Sequence, residues 1–247
     1  MIVRFVDCRY DLAEPKQARE KYAEAHIPGA AFMDLDADLS DLSIPAEVQG
    51  RHPLPGADAF AEAAGRAGIG PDTLAVCYDE GMTGGAARLW WLLRHFGHEQ
   101  GAVLDGGLGV WLGPLASGDE AIEPTTFTAT ERAGDTASTE EILARLGDPG
   151  LVLVDARQPE RFRGETAGLD PVAGRIPGAR NVHPGGDSVM ELPSDVLEAE
   201  EIVAYCGSGV LACVPLLALH RAGRTDARLY PGSWSEWSRK GLPAEKG

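Results

Sequence analysis

The sequence is short of cysteine, of aromatic side chains and of basic residues. Its 247 residues include four cysteines, 6% aromatic residues, and 22 Lys plus Arg against 38 Asp plus Glu. The cysteines form no CxxC pair, which argues against a zinc site and against a thioredoxin-type redox motif. They suggest no disulfide framework either, so we expect a reducing, cytoplasmic location.

The excess of acidic residues disfavours several kinds of partner. A formal net charge of −16 argues against binding to nucleic acid or to an anionic membrane surface. The longest apolar run, residues 210–219, is too short to span a bilayer. Arg4 and Asp7 interrupt the start of the chain, so we expect no secretory signal. We therefore expect neither nucleic acid nor a membrane as partner, and a small anionic substrate would need a locally positive site.

Four short motifs occur twice, in the same order, in the two halves of the chain. The pairs are residues 6–9 with 154–157, 26–30 with 175–179, 76–79 with 203–206, and 106–111 with 232–237. Four ordered matches indicate a tandem duplication. Residues 120–139 are rich in Thr, Ala, Glu and Pro and lack periodicity, which is typical of a linker. We therefore predict domains at residues 1–119 and 140–247, joined by a linker at 120–139.

Strand and helix patterns alternate in each half. The predicted strands are 2–6, 74–78, 151–155 and 201–205, and the predicted helices are 59–67, 86–96, 139–146 and 210–222. Apolar strands that alternate with helices indicate buried parallel strands in α/β units. The repeated Ile-Pro-Gly-Ala predicts a tight turn that leads into an edge strand. The predicted fold class is α/β, with a mainly parallel sheet flanked by helices in each half.

Cys206 ends an apolar strand and precedes a loop with two glycines and a helix start. Loop N–H groups and a helix N-terminus favour negative charge, and such surroundings favour the thiolate form of a cysteine. A thiolate is a nucleophile. The alternative is an inert cysteine buried at a strand end.

The repeat alignment places Asp79 at the position of Cys206. A carboxylate cannot accept a sulfur atom and hand it on as a thiolate can. We therefore predict that only the second half is catalytic and that the first half walls the site, since active clefts often form between domains.

Two reaction classes place a cysteine in such a loop. Hydrolysis of phosphate esters uses Cys-x5-Arg, in which the arginine clamps the phosphate. The sixth residue after Cys206 is Ala212, and the first following arginine is Arg221, which argues against a phosphatase. Sulfur transfer is the other class.

Several motifs together resemble the tandem-domain sulfurtransferases, the family of rhodanese and 3-mercaptopyruvate sulfurtransferase. They are Val-Asp-x-Arg in both halves, residues 26–30 (His-Ile-Pro-Gly-Ala), 84–91 (Gly-Gly-Ala-Ala-Arg-Leu-Trp-Trp), 161–164 (Arg-Phe-Arg-Gly), the Cys206 loop and 232–237 (Gly-Ser-Trp-Ser-Glu-Trp). The resemblance implies two rhodanese-like domains without a cofactor or metal. It also implies that Cys206 becomes a persulfide and passes the outer sulfur to a thiol, thioredoxin-like or cyanide acceptor.

The cysteine loop bears on the sulfur donor. Thiosulfate-preferring relatives tend to have Cys-Arg-Lys-Gly-Val-Thr, and mercaptopyruvate-preferring relatives Cys-Gly-Ser-Gly-Val-Thr; residues 206–211 here are Cys-Gly-Ser-Gly-Val-Leu. Two cations beside the cysteine suit dianionic thiosulfate, whereas a neutral pair suits a keto acid. We therefore favour 3-mercaptopyruvate, with thiosulfate as the alternative donor and a non-catalytic sulfur-binding or regulatory module as the different class. Leu211 departs from the Thr of the family.

The resemblance also implies residues that bind the donor. Backbone N–H groups of the loop are expected to hold the sulfur anion; they belong to Gly207, Gly209, Val210 and Leu211. Arg161 matches an arginine that binds the donor's carboxylate, or forms a surface salt bridge with Glu160 or Glu165. Arg175 is either a second donor-binding cation or part of a solvated turn.

Ser208, His52 and Asp36 match positions of a Ser-His-Asp relay in mercaptopyruvate enzymes. A hydroxyl near the keto acid could move a proton as the carbon–sulfur bond breaks. The alternative is that Asp36 and His52 only shape a loop where the domains meet.

Overall fold

The computed structural model describes residues 2–81, 83–185 and 190–247. These divide into two compact units. Residues 2–41 and 54–132 form the first unit, and residues 42–53, 133–185 and 190–247 form the second. The segment that carries His52 therefore groups with the half that carries Cys206. The domain limits at residues 119 and 140 stay predictions.

The first unit is built on a four-stranded parallel sheet in the order β2-β1-β3-β4. Its strands are β1 Ile2–Asp7, β2 Ala31–Phe32, β3 Thr73–Tyr78 and β4 Gly101–Val103. Its helices are α1 Pro15–Glu24, α3 Ala57–Arg66 and α4 Gly85–His95, with a 3-10 turn at Gly107–Val110. Phe60 and Phe96 stack in its interior with ring centroids 4.8 Å apart.

The second unit repeats this topology, with the strand order β6-β5-β7-β8 and every pair parallel. Its strands are β5 Leu151–Asp155, β6 Arg180–Asn181, β7 Glu201–Tyr205 and β8 Arg228–Leu229. Its helices are α2 Ala46–Gln49, α5 Thr139–Ala144, α6 Pro159–Phe162, α7 Ser194–Leu197, α8 Cys213–Arg221 and α9 Ser233–Arg239. The predicted α/β architecture and the duplication are confirmed.

Strand register supports the predicted alignment of the two halves. Asp7 pairs with Tyr78 in the first sheet, and Asp155 pairs with Tyr205 in the second. Asp79 directly follows Tyr78, and Cys206 directly follows Tyr205. The two side chains therefore leave equivalent sheets at equivalent points.

The repeated Val-Asp-x-Arg motif has a structural role in both halves. Asp155 receives the backbone N–H of Arg157 at 2.9 Å and its guanidinium at 2.6 Å, and Arg157 also donates to the carbonyl of Gly174 at 2.7 Å. Asp7 and Arg9 form the same buried pair in the first half. Since a buried charge must be paired, this motif fixes the chain beyond the first strand of each sheet.

The Ile-Pro-Gly-Ala turns lead into edge strands, as predicted. A buried tyrosine hydroxyl accepts the N–H of the isoleucine in each turn: Tyr78 from Ile27 at 3.2 Å, and Tyr205 from Ile176 at 3.1 Å. Each turn thereby places its short edge strand against the central strands.

The helix predicted at residues 210–222 begins later than expected, at Cys213. Pro215 is the physical reason, because proline has no N–H to donate and is tolerated only in the first turn of a helix. With α8 starting at Cys213, Pro215 lies in that first turn. Residues 207–212, between Cys206 and α8, therefore form a loop and not the first turn of the helix.

Candidate active site

Cys206 lies directly after β7 and is 2% exposed. The backbone N–H of Gly209 points at its sulfur, with 3.2 Å between nitrogen and Sγ. Val210, 3% exposed, closes the loop by accepting the N–H of Cys213 at 3.1 Å, and the carbonyl of Leu211 accepts from Val214 at 3.0 Å. The loop therefore curls around the sulfur before α8 begins.

Within the described residues, the loop amides of Gly207, Ser208, Val210 and Leu211 have no acceptor. N–H groups without an acceptor are costly unless they face an anion or water. They are therefore available to a negatively charged group carried by Cys206.

The start of α9 holds the cysteine loop in place. The Cys206 N–H donates to the Ser233 hydroxyl at 3.1 Å, and the Cys206 carbonyl accepts the N–H of Trp234 at 3.0 Å. The carbonyl of Gly207 accepts the N–H of Ser235 at 2.9 Å. Ser233 has a φ of 54°, a left-handed conformation that non-glycine residues rarely adopt. The repeated motif at residues 232–237 thus supports the Cys206 loop.

Gly209 occupies a position that only glycine fits. Its φ is 80°, and a Cβ atom there would lie 2.6 Å from the carbonyl oxygen of Pro231. Left-handed backbone together with a backbone contact excludes a side chain. This conformation is what turns the Gly209 N–H toward Sγ.

The structure brings Ser208 and His52 together. The Nδ1 atom of His52 lies 2.8 Å from the Ser208 hydroxyl oxygen, and both side chains are buried. The short helix α2, which precedes His52, packs against α9. Asp36 belongs to the other unit, where its N–H donates to the carboxylate of Asp34 at 2.8 Å. The role of Asp36 in a relay stays a prediction.

Arg161 lies beside the cysteine loop. A methyl group placed at Gly207 would lie 3.5 Å from its Nη1 atom, and its Nη2 atom donates to Asp170 at 2.5 Å. Arg161 therefore forms its ion pair with Asp170 and not with Glu160 or Glu165, the partners considered from the sequence. Burial lowers the pKa of Arg161, and the positive charges of Arg157 and Arg51 lower it further. The negative charges of Asp170 and Cys206 act in the opposite direction and raise it.

Arg175 is occupied by the C-terminal segment. Its guanidinium pairs with the carboxylate of Glu245, donates to the carbonyl of Gly247 at 2.6 Å, and covers the ring of Phe162 at 4.5 Å. Because these contacts already neutralise and orient the side chain, its function as a second donor-binding cation stays a prediction.

In the first half, Asp79 occupies the position equivalent to Cys206. Its carboxylate accepts N–H groups from Gly81 at 2.8 Å, Gly84 at 3.1 Å and Ala86 at 3.3 Å, at the start of α4. Three backbone N–H groups thus bind a carboxylate in the first half, at the position where the sulfur of Cys206 receives the Gly209 N–H in the second.

Within residues 2–81, 83–185 and 190–247, no three His, Cys, Asp or Glu side chains are placed to hold a metal ion. In the same residues, no helix has both the length and the apolar character needed to cross a bilayer.

The family model described as the Rhodanese-like domain matches the chain twice, at residues 2–113 and 138–240. The chain belongs to the rhodanese-like family. The predicted resemblance and the predicted pair of rhodanese-like domains are confirmed.

Relatives of this rhodanese-like chain are sulfurtransferases. A Pseudomonas aeruginosa protein named "Probable 3-mercaptopyruvate sulfurtransferase" is 42% identical and aligns over 94% of this chain and 88% of its own length. The thiosulfate sulfurtransferase of Rattus norvegicus is 33% identical over 98% of this chain and 86% of its own. The crystal structure of SseA from Escherichia coli, described among 3-mercaptopyruvate sulfotransferases, has 30% identity and a TM-score of 0.79, covering 94% of this chain and 92% of SseA. The chain is a sulfurtransferase, as predicted.

Sequence reasoning missed two residues of this rhodanese-like site, Arg51 and Asp170. Arg51 immediately precedes His52, and its Nη2 atom would lie 2.9 Å from a methyl group at Gly207. Asp170 is fully buried and pairs with both Arg51 and Arg161. The one available signal was the position of Arg51 next to a candidate catalytic histidine.

Proposed function

We propose that this sulfurtransferase takes sulfur from 3-mercaptopyruvate, holds it as a persulfide on Cys206, and passes it to a thiol, thioredoxin-like or cyanide acceptor. The observation that carries this choice of donor is the 2.8 Å contact between His52 and Ser208, the second residue after Cys206. A keto-acid donor leaves as an enolate that needs a proton, and a hydroxyl–imidazole pair can supply one.

The first half-reaction forms the persulfide. The Cys206 thiolate attacks the donor's sulfur, so that a sulfur–sulfur bond forms as the carbon–sulfur bond breaks. The released electron pair remains on the leaving group as the enolate of pyruvate. Ser208 and His52 deliver a proton to this enolate, so the hydrogen lost by the donor's thiol ends on the methyl group of pyruvate. The outer sulfur stays bound to Cys206 as an anion that faces the loop amides.

The second half-reaction returns the enzyme to its starting state. A nucleophilic acceptor attacks the outer sulfur, and the Cys206 thiolate leaves with its electron pair. Cyanide would give thiocyanate, and a thiol would give a new persulfide. Arg161, beside Gly207, is proposed to hold the carboxylate of the donor through charge-assisted hydrogen bonds.

Mass spectrometry of the intact protein tests this proposal. Incubation with 3-mercaptopyruvate should add one sulfur mass to the unaltered chain and none to Cys206→Ser. Cys213→Ser is the matched control, since Cys213 is a buried cysteine of the same half, and it should still gain the sulfur. Cyanide should then remove the added mass and yield thiocyanate. A gain that persists in Cys206→Ser, or a bound sulfur that no acceptor removes, would contradict the proposal and favour a non-catalytic sulfur-binding module.

A further inference from the structure

Ser233 has a left-handed backbone conformation that a serine rarely adopts. Its φ is 54°, and within residues 2–81, 83–185 and 190–247 every other positive φ belongs to a glycine. A residue with a side chain is strained in this conformation, because its Cβ atom comes too close to the following carbonyl oxygen. Strain of this kind persists where the surrounding structure requires it, and it is found most often at functional sites. Ser233 should therefore make a contact that a glycine could not make.

The equivalent residue of the first half is a glycine. The repeated motifs align Gly107 with Ser233, and Gly107 has a φ of 62°. The residue that follows each of them donates its N–H at an equivalent point, to the carbonyl of Asp79 at 2.8 Å in the first half and to that of Cys206 at 3.0 Å in the second. The turn itself thus needs only a left-handed residue, which glycine provides without strain. The second half has a side chain there in addition.

The hydroxyl of Ser233 connects the end of β8 to the residue that follows β7. It donates to the carbonyl of Tyr230 at 2.9 Å and accepts the N–H of Cys206 at 3.1 Å, and the side chain is fully buried. A serine hydroxyl has one proton and two lone pairs, so donation to Tyr230 leaves a lone pair for the N–H of Cys206. Because β7 ends at Tyr205, Cys206 lies beyond the strand, and its buried N–H still needs an acceptor.

Two consecutive residues therefore hold both backbone polar groups of Cys206. Ser233 accepts its N–H, and the N–H of Trp234 donates to its carbonyl at 3.0 Å. The position of this backbone determines where Sγ lies relative to the N–H of Gly209, which is 3.2 Å away. A sulfur that alternates between thiolate and persulfide retains its contact with this amide only if the backbone beneath it stays in place.

We propose that Ser233 is a positioning residue for sulfur transfer by Cys206, and that a serine is kept in this strained conformation because its hydroxyl fixes the backbone of Cys206. This inference rests on the proposed persulfide function. Ser233 acts through the Cys206 N–H and takes no part in the bond changes at sulfur. The rate constant kcat should therefore depend on its hydroxyl, whereas KM for the donor should not.

Two substitutions separate the effect of the hydroxyl from the effect of the strain. Ser233→Ala removes the hydroxyl and retains the strain, whereas Ser233→Gly removes both. Each should lower kcat with 3-mercaptopyruvate about 10- to 100-fold, since a misplacement of about 1 Å costs about 100-fold in rate, and should change KM less than about threefold. Ser233→Gly should nevertheless melt about 2–8 °C higher than Ser233→Ala, because glycine is not strained in a left-handed conformation. Full kcat in Ser233→Gly would overturn the inference.

Ser138 offers a matched control in the same half. Its hydroxyl accepts the N–H of Glu141 at 3.1 Å, the same distance as the contact between Ser233 and Cys206. Ser138→Ala should lower the melting temperature by about 2–4 °C, as the loss of a helix cap does, and should change kcat less than about twofold. If kcat falls in proportion to the melting temperature across all three variants, the role of Ser233 is structural only and the inference fails.

Alkylation of Cys206 by iodoacetamide tests the same positioning without a sulfur donor. A thiolate is the reacting form, so weaker contact with the Gly209 N–H should slow alkylation at pH 7 about three- to tenfold in both Ser233 variants and less than about twofold in Ser138→Ala. If 3-mercaptopyruvate does not load the unaltered protein but alkylation slows as expected, the proposed function fails and the positioning of Cys206 by Ser233 stands. Unchanged alkylation and unchanged kcat in the Ser233 variants would overturn the inference and leave the proposed function intact.

Discussion

Replacing Gly209 by alanine should separate the cost of a left-handed backbone from the cost of a steric clash. Gly209 has a φ of 80°, and its added Cβ would lie 2.6 Å from the Pro231 carbonyl oxygen. Gly178 in the same half has a φ of 79° and nothing within 4 Å of such a Cβ. Gly178→Ala is therefore a matched control that carries the backbone strain alone.

The expected magnitudes follow from these two distances. A left-handed alanine costs about 1–2 kcal/mol, which is the whole effect expected for Gly178→Ala. Ordinary contact begins at 3.4 Å, so Gly209→Ala must also move the loop by about 0.8 Å, and overpacking of this kind adds about 1–3 kcal/mol. At about 2–4 °C per kcal/mol for a domain of this size, Gly209→Ala should lower the melting temperature by several degrees more than Gly178→Ala.

The same displacement should reduce activity in one variant only. The Gly209 N–H lies 3.2 Å from Sγ of Cys206, and a misplacement near 1 Å in a reacting group costs about 100-fold in rate. Persulfide formation should therefore slow about 10- to 100-fold in Gly209→Ala and stay within about twofold in Gly178→Ala. Equal melting temperatures and equal rates in the two variants would refute the assignment of Gly209 as the residue that shapes the Cys206 loop.

Two further substitutions test the relay and the first half. His52→Ala should slow persulfide formation from 3-mercaptopyruvate about 100-fold or more and change its pH–rate profile, because general acid–base catalysis contributes about 10²–10⁴; thiosulfate, whose leaving group needs no proton, should be affected far less, and identical profiles for both donors would remove the relay. Asp79→Ala leaves three amide donors without their carboxylate and should destabilise the protein by about 3 kcal/mol. Thermal unfolding measures this loss of stability, and an unchanged melting temperature would contradict the expectation. Turnover by Cys206 should persist in Asp79→Ala at low temperature.

The features that were predictable from the sequence are those encoded locally. The strands β5 and β7 were predicted with the bounds that the structure gives, because short apolar runs between turn residues carry their own signal. Helix α5 begins at Thr139, as predicted, and the Ser138 side chain caps it by accepting the N–H of Glu141 at 3.1 Å. Because the two halves share the same motifs in the same order, the strands predicted in one half also predict a similar sheet in the other.

The residues that escaped prediction depend on contacts between distant segments. Arg51 and Asp170 are 119 residues apart and form an ion pair, yet neither has a neighbour in sequence that reveals the other. The support of the Cys206 loop by α9 is another such contact, because the Cys206 N–H donates to the hydroxyl of Ser233, 27 residues later in the chain. When a site is built from several loops, the sequence predicts only those residues that belong to a recognisable motif.

The duplication places two different chemical groups at equivalent points of two equivalent sheets. Both halves use the same strand order, the same buried Asp–Arg pair and a loop that leads into a helix. Around Asp79, three N–H groups are satisfied by a carboxylate attached to the chain, so that loop has no need of an external anion. At the equivalent position of the second half, the sulfur of Cys206 receives the Gly209 N–H, and in the proposed function this sulfur gains and loses a second one. Because the carboxylate already supplies the charge for which the amides are arranged, the first half keeps its fold and holds no transferable group.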